Sequence, residues 1–209
     1  DWLIVTPQDD PLHNIVARGG MWSSAPGGVD RDTVSFADFT SRVVVSLAQE
    51  TATSAQGRLT LIEFEKVNGG RGNDVLAGDA QNNVLRGRGG NDILVGGAGH
   101  DRLEGGAGAD TFRFARVDSH FDRVVDFDRA EGDRIDLSRI DADPSRTGDQ
   151  AFSFIGGEKF HGRAGELRVV EGDGRARFAL DADGDRIADL HVYLLTDEPL
   201  NLTEADFIL

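Results

Sequence analysis

Four aspartates recur at one phase of a nine-residue repeat, and their carboxylates are the groups in this sequence best placed to do chemistry. Asp74, Asp92, Asp101 and Asp110 each hold the sixth place of a unit, and the units run without insertion over residues 69–113: GGRGNDVLA, GDAQNNVLR, GRGGNDILV, GGAGHDRLE and GGAGADTFR. The second unit carries Asn83 at that place. Every unit opens on Gly (69, 78, 87, 96, 105), and the eighth place is Leu76, Leu85, Leu94, Leu103 or Phe112. Carboxylates at a fixed interval are hard oxygen donors, and their natural partner is a hard divalent cation.

The elements that must position them follow from the same nine residues. The Gly-rich places form a turn in which the backbone visits positive φ and comes close to its neighbours, which only glycine does cheaply. The last three places form a short strand whose middle residue points into a core. Two units complete one turn of a solenoid, so units n and n+2 stack. Leu76, Leu94 and Phe112 then line one sheet, and Leu85 and Leu103 face them from the other. A core of one apolar residue in nine returns less than the ordering of nine backbone residues costs. The sixth-place carboxylates, stacked at about 4.8 Å, would also repel one another. A cation bound between turns, with turn carbonyls completing an all-oxygen shell, answers both problems. Calcium suits that shell best, and folding becomes calcium-linked.

Composition agrees and excludes other classes. The chain has 27 Asp and 10 Glu, a formal net charge of −15, and 27 Gly, of which 13 lie in the repeats. Such a surface repels phosphates, which argues against a nucleic-acid or anionic-membrane binder. No cysteine is present, which removes disulfides, thiolate zinc sites and cysteine nucleophiles. No apolar run approaches a membrane span. His13, His100, His120, His161 and His191 never form HExxH, and there is no GxSxG, so nothing selects a catalytic centre. Twenty arginines against two lysines could supply a guanidinium-rich face toward an acidic polysaccharide, although Arg71, Arg86, Arg88 and Arg102 lie beside turns where they balance aspartates. Neither a signal peptide nor a Met precedes Asp1, so the chain is expected to be a fragment or a processed product.

On either side the strict phase is lost. Upstream, residues 27–35 put Asp32 and Val34 in the sixth and eighth columns, and residues 9–17 put Asn14 and Val16 there. The offset from Gly27 to Gly69 is not a multiple of nine, so residues 1–68 read as degenerate coils of the same solenoid. From residue 114 the texture becomes aromatic and alternating. Runs at 166–170, 175–180 and 190–194, separated by EGDG and DADGD, read as an antiparallel meander. Residues 114–209 would then cap the open end of the solenoid. Asp181, Asp183, Asp185 and Asp189 form DxDGDxxxD, which reads either as a cation loop that is not an EF-hand or as an Asp-rich hairpin turn. Asp126, Asp128, Asp133 and Asp136 surround another such turn.

The nonapeptides closely resemble the RTX family, whose repeat is a calcium-binding parallel β-structure. That resemblance implies an all-β fold, a parallel β-roll solenoid with a C-terminal antiparallel β cap, holding several Ca2+ ions in rows between turns. It implies side-chain ligands at Asp74, Asp92, Asp101 and Asp110, with Asp32 by upstream phase and Asn83 as a departure in a turn that lacks glycines. It implies carbonyl ligands from Gly70, Gly72, Gly87, Gly89, Gly96, Gly97, Gly99, Gly105, Ala107 and Gly108. The segments DRVVDFDRAEGDRIDLS (122–138), AGELRV (164–169), DADGDRIADLHVYL (181–194) and LTEADFIL (202–209) are similar to the C-terminal domain of serralysin-type metalloproteases and other secreted RTX proteins. This implies export from a Gram-negative bacterium by a type I secretion apparatus, through an uncleaved C-terminal signal ending Asp206-Phe207-Ile208-Leu209, and folding in external calcium. The expected function is a secreted, non-catalytic calcium-binding module. The alternatives are the tail of a larger enzyme (metalloprotease, or polysaccharide lyase or epimerase) and a polysaccharide-binding adhesin module.

Overall fold

The computed structural model describes residues 2–5, 12–18, 32–117, 121–172, 175–195 and 200–209. The side chains of Asn14 and Val16, and all of Gly27, Gly28 and His120, lie outside the described residues. Each complete repeat contributes a strand around its eighth residue, and successive strands alternate between two sheets. Val75–Ala77, Ile93–Val95 and Thr111–Arg113 lie side by side in parallel, with Leu76 opposite Leu94 and Leu94 opposite Phe112. Val84–Gly89 and Arg102–Ala107 pair in the other sheet, with Leu85 opposite Leu103. Units n and n+2 are therefore neighbours, as the repeat phase requires. All five of these residues are fully buried, because the pleat sends the middle residue of a three-residue strand to one face and its flanks to the other.

Parallel stacking continues beyond the repeats in both directions. Upstream, Val34 and Val67 extend the row of Leu85, on Thr33–Ser35 and Lys66–Asn68, while Val45 on Val44–Ser46 lies opposite Leu76. Downstream, Val124 lies opposite Leu103 and Ile135 opposite Phe112, on Phe121–Val124 and Arg134–Asp136. The C-terminal Phe207–Ile208 then adds in parallel to Arg134–Asp136, with Phe207 opposite Ile135. Antiparallel pairing enters in two places. The Thr51–Ser54 and Gly57–Ile62 strands form a hairpin beside Val44–Ser46. Glu166–Gly172, Arg175–Asp181 and Leu190–Leu195 form the meander read from their turns. The described residues form an all-β structure, with two mixed sheets of ten and nine strands that stay open among those residues rather than closing into a barrel.

Where the one-residue core ends, aromatic side chains fill the wider space. Phe114 and Phe207 both meet Phe178 edge-on, with ring centroids 5.6 Å apart in each pair. The C-terminal segment is tied down by charge as well. Arg129 donates from Nε to Asp206 at 2.7 Å and from Nη1 to the carbonyls of Leu200 and Asn201. Asp206 is buried, and its other oxygen accepts from the Thr203 backbone and hydroxyl. Among the described residues no helix is long and apolar enough to cross a membrane.

Candidate metal centre

The sixth-place residues lie two positions before each buried core residue, so the strand register that aligns the leucines also aligns the carboxylates. Two rows result, one along each sheet. In the first, the backbone N–H of each member donates to Oδ1 of the next. Val43 donates to Asp74, Asp74 to Asp92, Asp92 to Asp110 and Asp110 to Asp133, at 2.7–2.8 Å. In the second, Asp32 donates to Glu65, Asn83 to Asp101 and Asp101 to Asp122, each at 2.8 Å. Asp74, Asp92, Asp101, Asp110, Asp122, Asp133 and Asp32 are all buried.

The second oxygen of each carboxylate separates the ends of the first row from its middle. Asp74 Oδ2 accepts from the Gly70 N–H at 2.6 Å, and Asp133 Oδ2 from the Asp128 N–H at 2.8 Å. In between, Oδ2 of Asp92 and Oδ2 of Asp110 are buried with no hydrogen-bond partner, as is Oδ2 of Asp101 in the second row. Buried polar atoms are nearly always satisfied, so three bare anionic oxygens in equivalent places call for a cation. Asn83 differs as its residue type demands: Oδ1 takes the Asp79 N–H, and Nδ2 is left buried and unpartnered.

The turn residues converge on the same places. A methyl group on Gly87 would strike both Asp92 Oδ2 and the carbonyl oxygen of Gly105; on Gly69 it would strike Asp74 Oδ2 and the Gly87 carbonyl. Gly96 and Gly105 abut Asp101 Oδ2 and Asp110 Oδ2 in the same way. The invariant first glycine thus keeps room around a carboxylate and a carbonyl rather than supplying an unusual φ. Positive φ belongs to the second place, at Arg88, Gly97 and Gly106, and to the fourth, at Gly90, Gly99 and Gly108. There Gly90 packs on Gly72, Gly108 on Gly90 and Gly99 on Gln81, while Gly97 packs on Asp79. Gly89 and Ala107 face each other in the strand register, and the Ala107 carbonyl already accepts from Gly90 at 3.0 Å. Gly70 abuts the Phe39 carbonyl.

Burial without counter-charge leaves these acids hard to ionise. Burial, with Asp74 close by, pushes the Asp92 carboxyl up to about 7. Burial, with Asp133, Asp92 and Asp126 adding repulsion, pushes Asp110 up to about 7. Asp133 is pushed up to about 6 by burial and by Asp126 and Glu131. Asp74 is also raised by burial, although the Gly70 and Val43 N–H groups and Arg42 oppose it. These groups bind protons more tightly folded than unfolded. The metal-free fold is therefore stabilised by protonation near pH 4, and that stabilisation is lost as pH rises through about 7. Calcium-free protein is expected to show more β structure by circular dichroism at pH 4.5 than at pH 7.5; the opposite order would contradict this account.

Three acidic neighbours of the rows were not in the repeat columns. Glu65, Asp122 and Asp133 fill equivalent places through the same acid-x-apolar triplet, Glu65-Lys66-Val67, Asp122-Arg123-Val124 and Asp133-Arg134-Ile135. That triplet was the available signal. Asp126 accepts the N–H groups of Gly105 and Gly106 at 3.0 and 2.8 Å. Asp136 instead pairs with Arg113 at 2.7 Å; burial opposes ionisation there, but hydrogen bonds from Ser138 and Arg113 hold its carboxyl below the usual range.

The downstream acidic turn is arranged differently. Asp181, Asp183 and Asp189 place oxygens within 4.8 Å of one another, and Asp185 stands outside that group. Asp181 accepts from the N–H groups of Gly184 and Arg186, Asp189 from Ala182, Asp183 from Asp185, and Asp185 from Ile187. These backbone bonds account for the turn.

The model of the peptidase M10 serralysin C-terminal family matches residues 21–209. The chain belongs to that family. This serralysin C-terminal domain, of RTX type, spans both carboxylate rows and the meander within the matched residues. The family is defined by the C-terminal part of the peptidase, and no catalytic family is indicated. Among solved structures, the AlgE6R3 subunit of Azotobacter vinelandii mannuronan C5-epimerase is similar at 29% identity and a TM-score of 0.44, covering 68% of this chain and 76% of that one. Extracellular lipase LipA from Serratia marcescens is similar at 17% identity and a TM-score of 0.37, over 94% of this chain and 34% of that one. No curated protein matches. The donors of the serralysin C-terminal domain fit the calcium its family implies: they are oxygens throughout, anionic, and bare where the turns stack.

Proposed function

We propose that the chain is a secreted calcium-binding β-roll module, non-catalytic by itself, that folds on meeting external calcium and carries a C-terminal type I export signal. The bare buried oxygens of Asp92, Asp101 and Asp110 carry this reading. Those carboxylates would hold the ions, with Asp74 and turn carbonyls such as those of Gly87 and Gly105 completing the shell and Asp122 and Asp133 continuing the rows. Bound calcium supplies the positive charge that lets stacked acids coexist. Residues 69–113 are the binding core of this design, 1–68 its degenerate upstream coils, and 114–209 its cap and signal.

The terminal strand supports an order of events. Phe207 is buried and paired opposite Ile135 in the folded chain, so an export apparatus would read the signal before folding hides it. Low cytosolic calcium would keep the acidic chain open, and external calcium would close it. Radioactive calcium in equilibrium dialysis at pH 7.5 tests the binding. Several ions are expected per chain, retained against excess magnesium, because magnesium demands a stricter octahedron and sheds water reluctantly. No uptake, or equal displacement by magnesium, would overturn the proposal. A hydrolase, lyase or epimerase domain encoded ahead of Asp1 would make this module its folding and export tail, which the upstream gene sequence tests.

A further inference from the structure

We propose that the outer face of the ten-stranded sheet around Phe121 binds an anionic polysaccharide built from uronic acids. Strand register sets Arg102 beside Arg123, Arg123 beside Tyr193, and Tyr193 beside Arg177, in one row across four strands. Like charges directly opposite one another on a sheet are destabilising. Arg102 shares Glu104 with Arg86, at 3.0 and 3.2 Å. Among the described residues Arg123, Arg175 and Arg177 have no ion-pair partner. A chain of net charge −15 thus gathers guanidinium groups on one face, three of them without an acidic partner among the described residues.

The same face carries an apolar ridge. His100 stacks on Phe121 with centroids 6.0 Å apart, Phe121 stacks on His191 at 5.4 Å, and Tyr193 leans on Phe121 at 6.1 Å. Phe121 is nonetheless 39% exposed. Together His100, Arg102, Phe121, Arg123, Arg175 and Tyr193 line a cleft of about 860 Å³.

Three features choose the occupant. Guanidinium groups recognise carboxylates through paired hydrogen bonds, and their row, stepping roughly 4.8 Å per strand, suits a linear chain with regularly spaced acids. The faces of the stacked rings are largely taken by one another, which leaves a poor platform for nucleobases but an apolar ridge for the C–H surface of a sugar. The strands here lie inside the sheet, flanked on both sides, so an acidic peptide finds no open backbone edge to extend.

The proposal rests on the calcium-folded state only because the face exists once the sheet has formed. The test is calorimetry with the whole chain in calcium, its fold checked by circular dichroism. The probes are a defined oligogalacturonate, its methyl ester, polyglutamate and oligo-dT. Oligogalacturonate should bind and its uncharged ester should not. The double variant Arg123→Ala, Arg175→Ala should bind at least about tenfold more weakly, the scale of one charge-assisted hydrogen bond, while its calcium titration is unchanged. That last comparison separates the face from calcium bridging between two acidic partners. A folded chain that ignores oligogalacturonate, a variant that binds it as well as the parent, or tighter binding of polyglutamate or oligo-dT would each overturn the proposal. A chain that stays unfolded in calcium would overturn the calcium reading, and the face with it.

Discussion

Withdrawing calcium at pH 7.5 is expected to unfold the chain, with loss of most β signal and expansion from a radius of gyration of about 17 Å toward about 50 Å. The repeats bury one Leu or Phe per unit, and in four of the five units they bury an acid beside it, with one oxygen unpartnered in the middle of the rows. Ionising these acids in place is opposed by burial and by the next acid in the row, as the raised values of Asp92 and Asp110 show. The formal charge of −15 adds repulsion over the whole chain. Each site held at a hundred times its dissociation constant contributes about 2.7 kcal/mol, so a few ions match the roughly 5–15 kcal/mol by which domains are stable at all. Stacked units contact mainly their neighbours, so ordering one turn favours binding at the next, and refolding should be steeply sigmoidal in calcium. Circular dichroism and small-angle scattering in a calcium titration check this. A spectrum indifferent to chelation would sink the reading.

Replacing Asp92 by Asn should shift stability in opposite directions with and without the ion. Asp92 lies mid-row, its Oδ1 accepting the Asp74 N–H and its own N–H donating to Asp110. The amide oxygen of Asn keeps the first bond, so the row geometry is preserved. In metal-free protein the variant removes a buried charge disfavoured by burial and by Asp74, and it should be the more stable form at pH 7.5. In calcium it removes a charged ligand, and affinity should fall about tenfold or more. Asp32→Asn, at the upstream end of the other row, should change calcium affinity much less. Chemical denaturation of each variant with and without calcium reads both signs; equal calcium effects at the two positions would contradict the placement of Asp92 at the centre of the row.

The repeat region was legible because its demands are local. An eighth-place apolar residue must enter the core, and a sixth-place acid two positions earlier must then fall in line with its neighbours. The continuation of the rows was not legible from the nine-residue interval. Asp101 meets Asp122 across 21 residues and Asp110 meets Asp133 across 23, where the repeat uses 18. What continues the rows is an acid-x-apolar triplet at the start of a strand; the connecting turn can lengthen without disturbing it. The two glycine roles were also merged in the sequence, since close approach and positive φ both appear as Gly, and only the backbone conformation tells them apart.

By itself, then, the sequence determined an all-β chain whose units n and n+2 pair and whose acids form rows suited to a hard cation. These follow from composition and short-range spacing. Only the tertiary structure decided which carboxylate oxygens are left bare, that Glu65, Asp122 and Asp133 extend the rows, that Arg129 clamps Asp206, and that Arg102, Arg123 and Arg177 share one row with Tyr193. Each of these depends on which distant strands become neighbours, and that register is set by packing of the two sheets; the acid-x-apolar triplet marks an acid that can join a row but not the strand it will lie beside.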